Sequence, residues 1–335
     1  MASDALLTIE NLTTAFDTEA GRIRAVEGIS FTVPKSRTLG IVGESGCGKS
    51  VTALSIMRLL PRPAGTIEAG RILFNGRDLA GLPAEEMHHI RGKRIAMIFQ
   101  EPMTALNPVQ RLGTQLGEVF ELHFPEMDPG AVETECINLL RKVGIPAPEA
   151  RLKEYPHQIS GGMRQRVMIA AALAGQPDLL IADEPTTALD VTIQAQILDL
   201  MRSLQQETGM AIIFITHDLG VIAEMADEVL VMYAGQVAER APIKTIYTQP
   251  RHPYTQGLLA SIPRLATTPK SRLPTIEGIV PSLLEMPGGC RFQNRCPRVM
   301  EICRDSPPPM YRVGREHWAS CFLHRGQPAA GEVRP

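Results

Sequence analysis

The chain of 335 residues is short of several things, and each shortage excludes a class of protein. No segment approaches the roughly 18 to 20 uninterrupted apolar residues that a membrane-spanning helix needs. There is no basic excess: 34 Lys and Arg stand against 36 Asp and Glu, a formal net charge of −2. A large non-specific nucleic-acid surface wants a surplus of cations, so no nucleic-acid partner is expected. The opening residues Met1-Ala2-Ser3-Asp4 carry neither the basic segment nor the apolar core of a secretory signal, and the chain is expected to stay in the cytoplasm. In that compartment its six cysteines read as free thiols or metal ligands rather than disulfides. With 44% hydrophobic and 21% charged residues the composition is that of an ordinary globular protein, long enough for one large or two unequal domains.

What is present begins with Gly43-Glu44-Ser45-Gly46-Cys47-Gly48-Lys49-Ser50, which fits the P-loop pattern G-x-x-x-x-G-K-[ST]. The apolar run Leu39 to Val42 before it reads as a buried strand, and Ser50 to Met57 after it reads as a helix. Glycines let successive N–H groups turn inward around an anion, and the helix N-terminus adds the positive end of its dipole. Lys49 would reach the β- and γ-phosphates and Ser50 would offer its hydroxyl to Mg²⁺. The chain therefore reads as a binder of a nucleoside triphosphate.

The rest of the chain supplies strands alternating with helices, the pattern of a mainly parallel, helix-covered sheet with an antiparallel piece on its N-terminal side. Leu6 to Ile9 and the alternating Ile29 to Val33 read as short strands, with Phe16 in a polar stretch between them, either an edge aromatic or a plate for a base. Arg71 to Phe74 followed by Asn75-Gly76 reads as a hairpin. Ile95 to Phe99 is a buried strand ending at Gln100, and residues 107 to 158 read as a helical insertion with periodic runs at Thr114 to His123 and Ala131 to Val143. Cys136 falls in the second run and reads as core. Ser160-Gly161-Gly162 forms a second capped helix start suited to an anion. Leu179 to Ala182 closes on Asp183-Glu184, two carboxylates at the end of a buried strand, where charge is costly unless it has work to do. In P-loop enzymes an Asp there helps hold Mg²⁺, and Glu184 is placed to polarise the attacking water. Ala211 to Thr216 is another buried strand, ending at His217-Asp218.

These pieces in this order resemble the nucleotide-binding subunit of an ABC transporter, over about residues 5 to 260. The resemblance makes Gly43 to Ser50 the Walker A motif, Gln100 the Q-loop glutamine and Ile159 to Met163 the signature motif, with Ile for Leu and Met for Gln in LSGGQ. It makes Leu179 to Asp183 Walker B, Glu184 the catalytic carboxylate, Ala188-Leu189-Asp190 the D-loop and His217 the switch histidine. It implies an α/β P-loop NTPase cassette, with a mixed sheet core, an antiparallel β subdomain and a helical subdomain at about 101–170. It places ATP on Phe16, stacked on adenine, and on Gly43, Ser45, Gly46, Cys47, Gly48, Lys49, Ser50, Val51 and Asp183. Mg²⁺ would lie on Ser50, Gln100 and Asp183. Ser160, Gly161 and Gly162 would serve the ATP of a partner cassette.

Within that family the chain resembles the oligopeptide and dipeptide importer ATPases, and their D-type subunit, through Tyr155 to Gln158, Glu184 to Gln196, Arg251 to Thr255 and Met163. That implies a bacterial transport ATPase at the cytoplasmic face of the membrane. Its partners would be an F-type ATPase subunit as second cassette, two membrane permease subunits and a substrate-binding protein. Nickel and glutathione importers use close relatives, and a soluble non-transport ABC ATPase is the remaining alternative. Residues 261–335 would form a C-terminal extension, which Gly288 to Phe292 and Cys296-Pro297 also resemble. The extension reads Cys290-x5-Cys296-x6-Cys303-x17-Cys321, an arrangement of metal ligands rather than of a core. Free thiols, a zinc site and a four-cysteine iron–sulfur cluster compete. The tight cysteine pairs of zinc sites are missing, and the resemblance to D-type dipeptide ATPases implies [4Fe-4S].

Overall fold

Two long strands open the chain: β1 (Ala5–Thr18) and β2 (Gly21–Pro34). A computed structural model describes residues 5–100, 105–187, 189–262 and 274–327. The chain forms two units, Met1–Val33 with Thr38–Ala80 and Thr216–Pro335, and Pro34–Arg37 with Gly81–Ile215.

In the first unit β1 pairs antiparallel with β4 (Gly65–Phe74), from Leu7 opposite Phe74 to Phe16 opposite Gly65. The register slips between Glu10 and Thr14, and Leu12, Thr13, Thr14 and Ala15 are buried in succession. A bulge of this kind erases the period-two signal, which is why sequence alone shortens β1 to Leu6–Ile9 and leaves Phe16 outside it. Asn75 and Gly76 both take positive φ, 48° and 79°, and turn β4 into β5 (Arg77–Asp78) as the hairpin reading expects. The strand order of this sheet is β2-β1-β4-β5.

The same unit contains β3 (Thr38–Val42), buried throughout, parallel to β9 (Glu228–Tyr233) with Val42 opposite Val231. β10 (Gln236–Pro242) folds back on β9, and a hairpin of β11 (Tyr311–Gly314) and β12 (His317–Ala319) extends it, Glu239 facing Ala319. Strands of three and four residues have no readable period, so the extension reads as loop in sequence although it closes a sheet edge.

β10 buries Glu239 completely. Its carboxylate accepts the N–H groups of Arg251 (2.7 Å) and His252 (2.8 Å) and contacts His317 Nε2 at 2.7 Å. Burial alone would push this carboxyl up, but the hydrogen bonds, led by His317, hold it below its ordinary value. His252 is buried as well, and desolvation lowers its imidazole to about 4 against the pull of Glu239. Its Nδ1 accepts the Tyr254 N–H at 3.0 Å and caps the helix Pro253–Ala260. A histidine whose pKa is depressed on folding adds stability that is whole above about 6.5 and lost as pH falls toward the folded value. Between pH 6.5 and 5 the loss is about 2 kcal/mol. The thermal midpoint should fall over that interval, and His252→Asn, which keeps a cap acceptor, should flatten the slope. Equal slopes would remove His252 as the cause.

In the second unit β6 (Ile95–Ile98), β7 (Leu179–Asp183) and β8 (Ala211–Thr216) run parallel in the order β8-β7-β6. Ile98 pairs with Ala182, and Asp183 with Ile215. β7 and β8 are buried end to end, which is why their sequences are apolar up to a last polar residue, Asp183 and Thr216. The helical insertion contains Leu112–His123 and Pro129–Lys142. Asp128 caps the second of these, accepting from Gly130 and Ala131 N–H, and Cys136 lies in its buried face with Leu140. The sequence reading of both helices holds to within about two residues.

Candidate functional site

The P-loop springs from the buried end of β3 and runs into α1 (Lys49–Met57). Two of its glycines are obligatory on steric grounds. A Cβ on Gly43 (φ +155°) would lie 2.2 Å from Met232 O, and one on Gly48 (φ +100°) 2.6 Å from Ala25 O. The loop is therefore threaded between the start of β2 and the end of β9. Lys49 is 5% exposed. Its ammonium donates to Gly43 O at 2.8 Å and Glu44 O at 3.1 Å, curled under the loop whose N–H groups would surround an anion. The first turn of α1 holds no acidic side chain, so nothing offsets the positive end of the helix dipole. Ser50 and Val51 are half-buried in that turn, while Ser45 and Gly46 lie exposed at the tip. Cys47 is buried, and desolvation pushes its thiol up. Its carbonyl accepts the Gly235 N–H at 2.9 Å.

Phe16 is half-buried on β1, its ring against Gly65. It shares a strand face with Thr14, whose hydroxyl meets Ser55 of α1 at 2.8 Å. β1 thus carries this aromatic beside the helix that follows the P-loop. His217 is exposed just beyond β8, and Asp218 caps the next helix through the N–H groups of Gly220 (2.7 Å) and Val221 (3.4 Å). Phe16, the P-loop and His217 belong to the first unit.

The second unit holds the other candidates. Because Ile98 pairs with Ala182, Gln100 and Glu184 each lie two residues past the same rung, at the carboxyl edge of the sheet where such folds place ligands. Gln100 is exposed there, and Asp183 is 3% exposed. Glu184 takes φ +49°, a left-handed conformation that non-glycine residues adopt at a cost and that recurs at functional positions. Its N–H donates to Ile215 O at 2.9 Å, and its carboxylate accepts the Thr187 hydroxyl at 2.9 Å. Ser160 caps Gly161–Leu173 by accepting the Met163 N–H at 3.3 Å. Gly161 has open space around it, whereas a Cβ on Gly162 would meet Ile193 at 3.0 Å. Ala188 of the D-loop lies outside the described residues.

The structure describes all four cysteines of the extension. Among the described residues no group of three or more His, Cys, Asp or Glu side chains is arranged to hold a metal. Cys303 packs as a small apolar residue with Tyr311 and Phe322, and Cys290 packs against that cluster. Cys321 is buried too, and Cys296 is half-buried. Burial first, and the neighbouring cysteines with it, push the thiols of Cys290 and Cys321 up to about 11. All four cysteines of the extension are free thiols.

The sequence reading missed a group that touches the P-loop directly. Glu44 is bound by Tyr254 and by Arg295 of the extension. The only signal for it was a P-loop acid and a distant arginine between two cysteines.

Comparison with known proteins identifies the family. Residues 26–187 match the ABC transporter family, and residues 238–303 match the oligopeptide/dipeptide transporter C-terminal region. The oligopeptide transport ATP-binding protein OppD of Bacillus subtilis strain 168 is 50% identical over 330 residues, spanning 98% of this chain and 91% of that one. The dipeptide transport ATP-binding protein DppD of the same organism is 52% identical over 320 residues, 96% of this chain and 95% of that one. Among solved structures, a bacterial ABC transporter cassette seen as a dimer has a TM-score of 0.64 at 24% identity, over 71% of this chain and 98% of its own. The cbiO1 protein of Clostridium perfringens, part of the ABC transporter complex cbiONQ, has a TM-score of 0.62 at 26% identity, over 73% of this chain and 92% of its own. With half of its residues shared over almost the whole length, the chain belongs to the family of ABC transporter ATP-binding subunits that serve oligopeptide and dipeptide transport.

Proposed function

We propose that the chain is the ATP-hydrolysing motor of a bacterial peptide importer, bound to the cytoplasmic face of the membrane by two permease subunits. No helix among the described residues is long and apolar enough to cross a membrane, so membrane attachment falls to those partners. The observation that carries the catalytic half is the pair Asp183-Glu184, one buried and one held at positive φ at the carboxyl end of β7. Lys49 and the P-loop N–H groups hold the phosphates. Ser50, Gln100 and Asp183 would hold Mg²⁺ directly or through water, and the ion would supply charge neutralisation at the transferred phosphoryl. Glu184 takes the proton of the attacking water, its oxygen displaces ADP from the γ-phosphorus, and His217 contacts the γ-phosphate. Phe16 stacks on adenine.

Ser160, Gly161 and Gly162 face the ATP of a second cassette, the F-type subunit of the importer, which is unrelated to rotary F-type ATPases. ATP closes that pair and hydrolysis releases it, a switch driven by contacts to one phosphate. The C-terminal region supports peptides as cargo delivered by a binding protein, ahead of nickel, glutathione or a non-transport role. Competition of labelled dipeptide uptake by unlabelled dipeptides tests this, and competition by nickel or glutathione alone would replace the substrate.

For the extension, the spacing of Cys290, Cys296, Cys303 and Cys321 supports a [4Fe-4S] cluster that their thiolates would hold, with Zn²⁺ as the alternative. Metal analysis of protein purified without air should find iron and a brown colour. Stoichiometric zinc, or no metal, would overturn the cluster.

A further inference from the structure

We propose that the C-terminal extension braces this chain's own P-loop, with Arg295 and Tyr254 as positioning residues that hold Glu44 and so preform the loop that receives the triphosphate. This rests on the nucleotide-binding reading above and adds a device in cis that the motifs of that reading do not include.

The brace is the segment Arg291-Phe292-Gln293-Asn294-Arg295. Phe292 is 2% exposed and lies among Tyr233, Tyr254 and His252, with ring centroids 5.1, 5.4 and 5.8 Å away. That anchor sets the two flanking arginines. Arg295 is 4% exposed at its side chain and forks onto both carboxylate oxygens of Glu44, at 2.6 and 3.0 Å. Its remaining donors reach Tyr233 Oη (3.5 Å), Glu277 O (3.1 Å) and Ile276 O (3.4 Å), so all five N–H groups are used. A planar two-pronged contact of this kind fixes direction as well as charge.

Glu44 is engaged on every polar group. Its N–H donates to Tyr254 Oη at 2.9 Å, its carbonyl accepts from Lys49 Nζ, and its carboxylate takes Arg295. The Glu44 N–H is thus spent on Tyr254 and the Cys47 N–H on Glu44 O at 3.3 Å, which leaves the other N–H groups of the loop for an anion. Arg291 holds the other end of the loop. It pairs with Glu27 and donates to Ala234 O. The next residue, Gly235, donates its N–H to Cys47 O and accepts the Glu27 N–H at 2.8 Å. The loop is thus tied near its start and near its end.

The consequence lies in affinity. A loop with glycines at positions 43, 46 and 48 loses much backbone entropy when it closes around a ligand. Holding it closed beforehand removes that cost from binding. The chemistry at the γ-phosphate is done by other residues, so the brace should lower KM and leave kcat alone.

The experiment compares the full chain with Glu44→Gln/Arg295→Met and with Tyr254→Phe, reading fluorescent ATP-analogue binding, ATPase KM and kcat, and the nucleotide-free thermal midpoint. The double variant removes both charges together, so no carboxylate is stranded. It should bind ATP at least about tenfold more weakly, equivalent to about 1.4 kcal/mol. KM should rise in step, kcat should stay within about twofold and the thermal midpoint near wild type. Tyr254→Phe keeps the ring and loses only the acceptor, and should weaken binding about three- to tenfold. ATP affinity within about twofold of wild type in both folded variants would overturn the brace. If the double variant fails to fold, the Tyr254→Phe result alone decides. Lys49→Ala separates the two readings. Wild-type protein that binds ATP no better than Lys49→Ala refutes nucleotide binding, whereas strong wild-type binding unchanged in the brace variants refutes only the brace.

Discussion

Glu184→Gln should lower ATP hydrolysis by about 10²- to 10⁴-fold, the usual contribution of a positioned general base, and leave ATP binding within about twofold. The substitution is chosen so that chemistry alone changes. Glutamine has the same Cβ and the same cost at φ +49°, so the backbone at this position is indifferent to it. The N–H to Ile215 O is kept, and the amide oxygen still accepts the Thr187 hydroxyl. What disappears is the capacity to take a proton from water. A variant that binds ATP normally and accumulates it unhydrolysed fits this role. Phosphate release within about threefold of wild type would remove Glu184 from it.

Lys49→Ala acts one step earlier. Lys49 is 5% exposed, and its ammonium is the donor for two loop carbonyls, Gly43 O and Glu44 O. Its loss would remove the charge proposed to meet the β- and γ-phosphates and the Lys49 donor of Gly43 O, while Glu44 O would keep the Cys47 N–H. Each charge-assisted hydrogen bond contributes about 1.5–3 kcal/mol, so the dissociation constant for ATP should rise about 100-fold or more. Hydrolysis should fall with it. The two variants divide the reaction: Glu184→Gln binds without turnover, Lys49→Ala does neither. Equilibrium binding of a fluorescent ATP analogue checks the second, and an unchanged affinity would place the triphosphate elsewhere.

The parts of the site that sequence made legible are those whose constraints are local. The P-loop pattern needs only a strand, glycines with positive φ and a helix start, all within residues 38–57, and the structure supplies each. The carboxylates after β7 and the histidine after β8 stood out because a polar residue closes a fully buried apolar run. What stayed hidden depends on pairings distant in sequence. The bulge in β1 removed the alternation that would have placed Phe16 on a strand. The hairpin of β11 and β12 exists because β10 offers an edge, and its short strands carry no period of their own. The Arg295–Glu44 fork joins residues 251 positions apart, which no spacing argument reaches. The cysteines show the reverse relation between spacing and packing. Their spacing reads as a ligand set, yet the fold uses Cys303 as a small apolar side chain beside Tyr311 and Phe322.

The account centres on a motor whose hydrolysis is coupled to peptide arrival, and one measurement reaches that directly. The chain is reconstituted with its partner cassette and two permease subunits in lipid vesicles. Phosphate release is followed with and without a peptide-loaded binding protein. The account predicts low basal release, a several-fold rise on adding the loaded binding protein, and loss of that rise in Glu184→Gln. Release that ignores peptide, or a peptide-driven rise that survives Glu184→Gln, would contradict it.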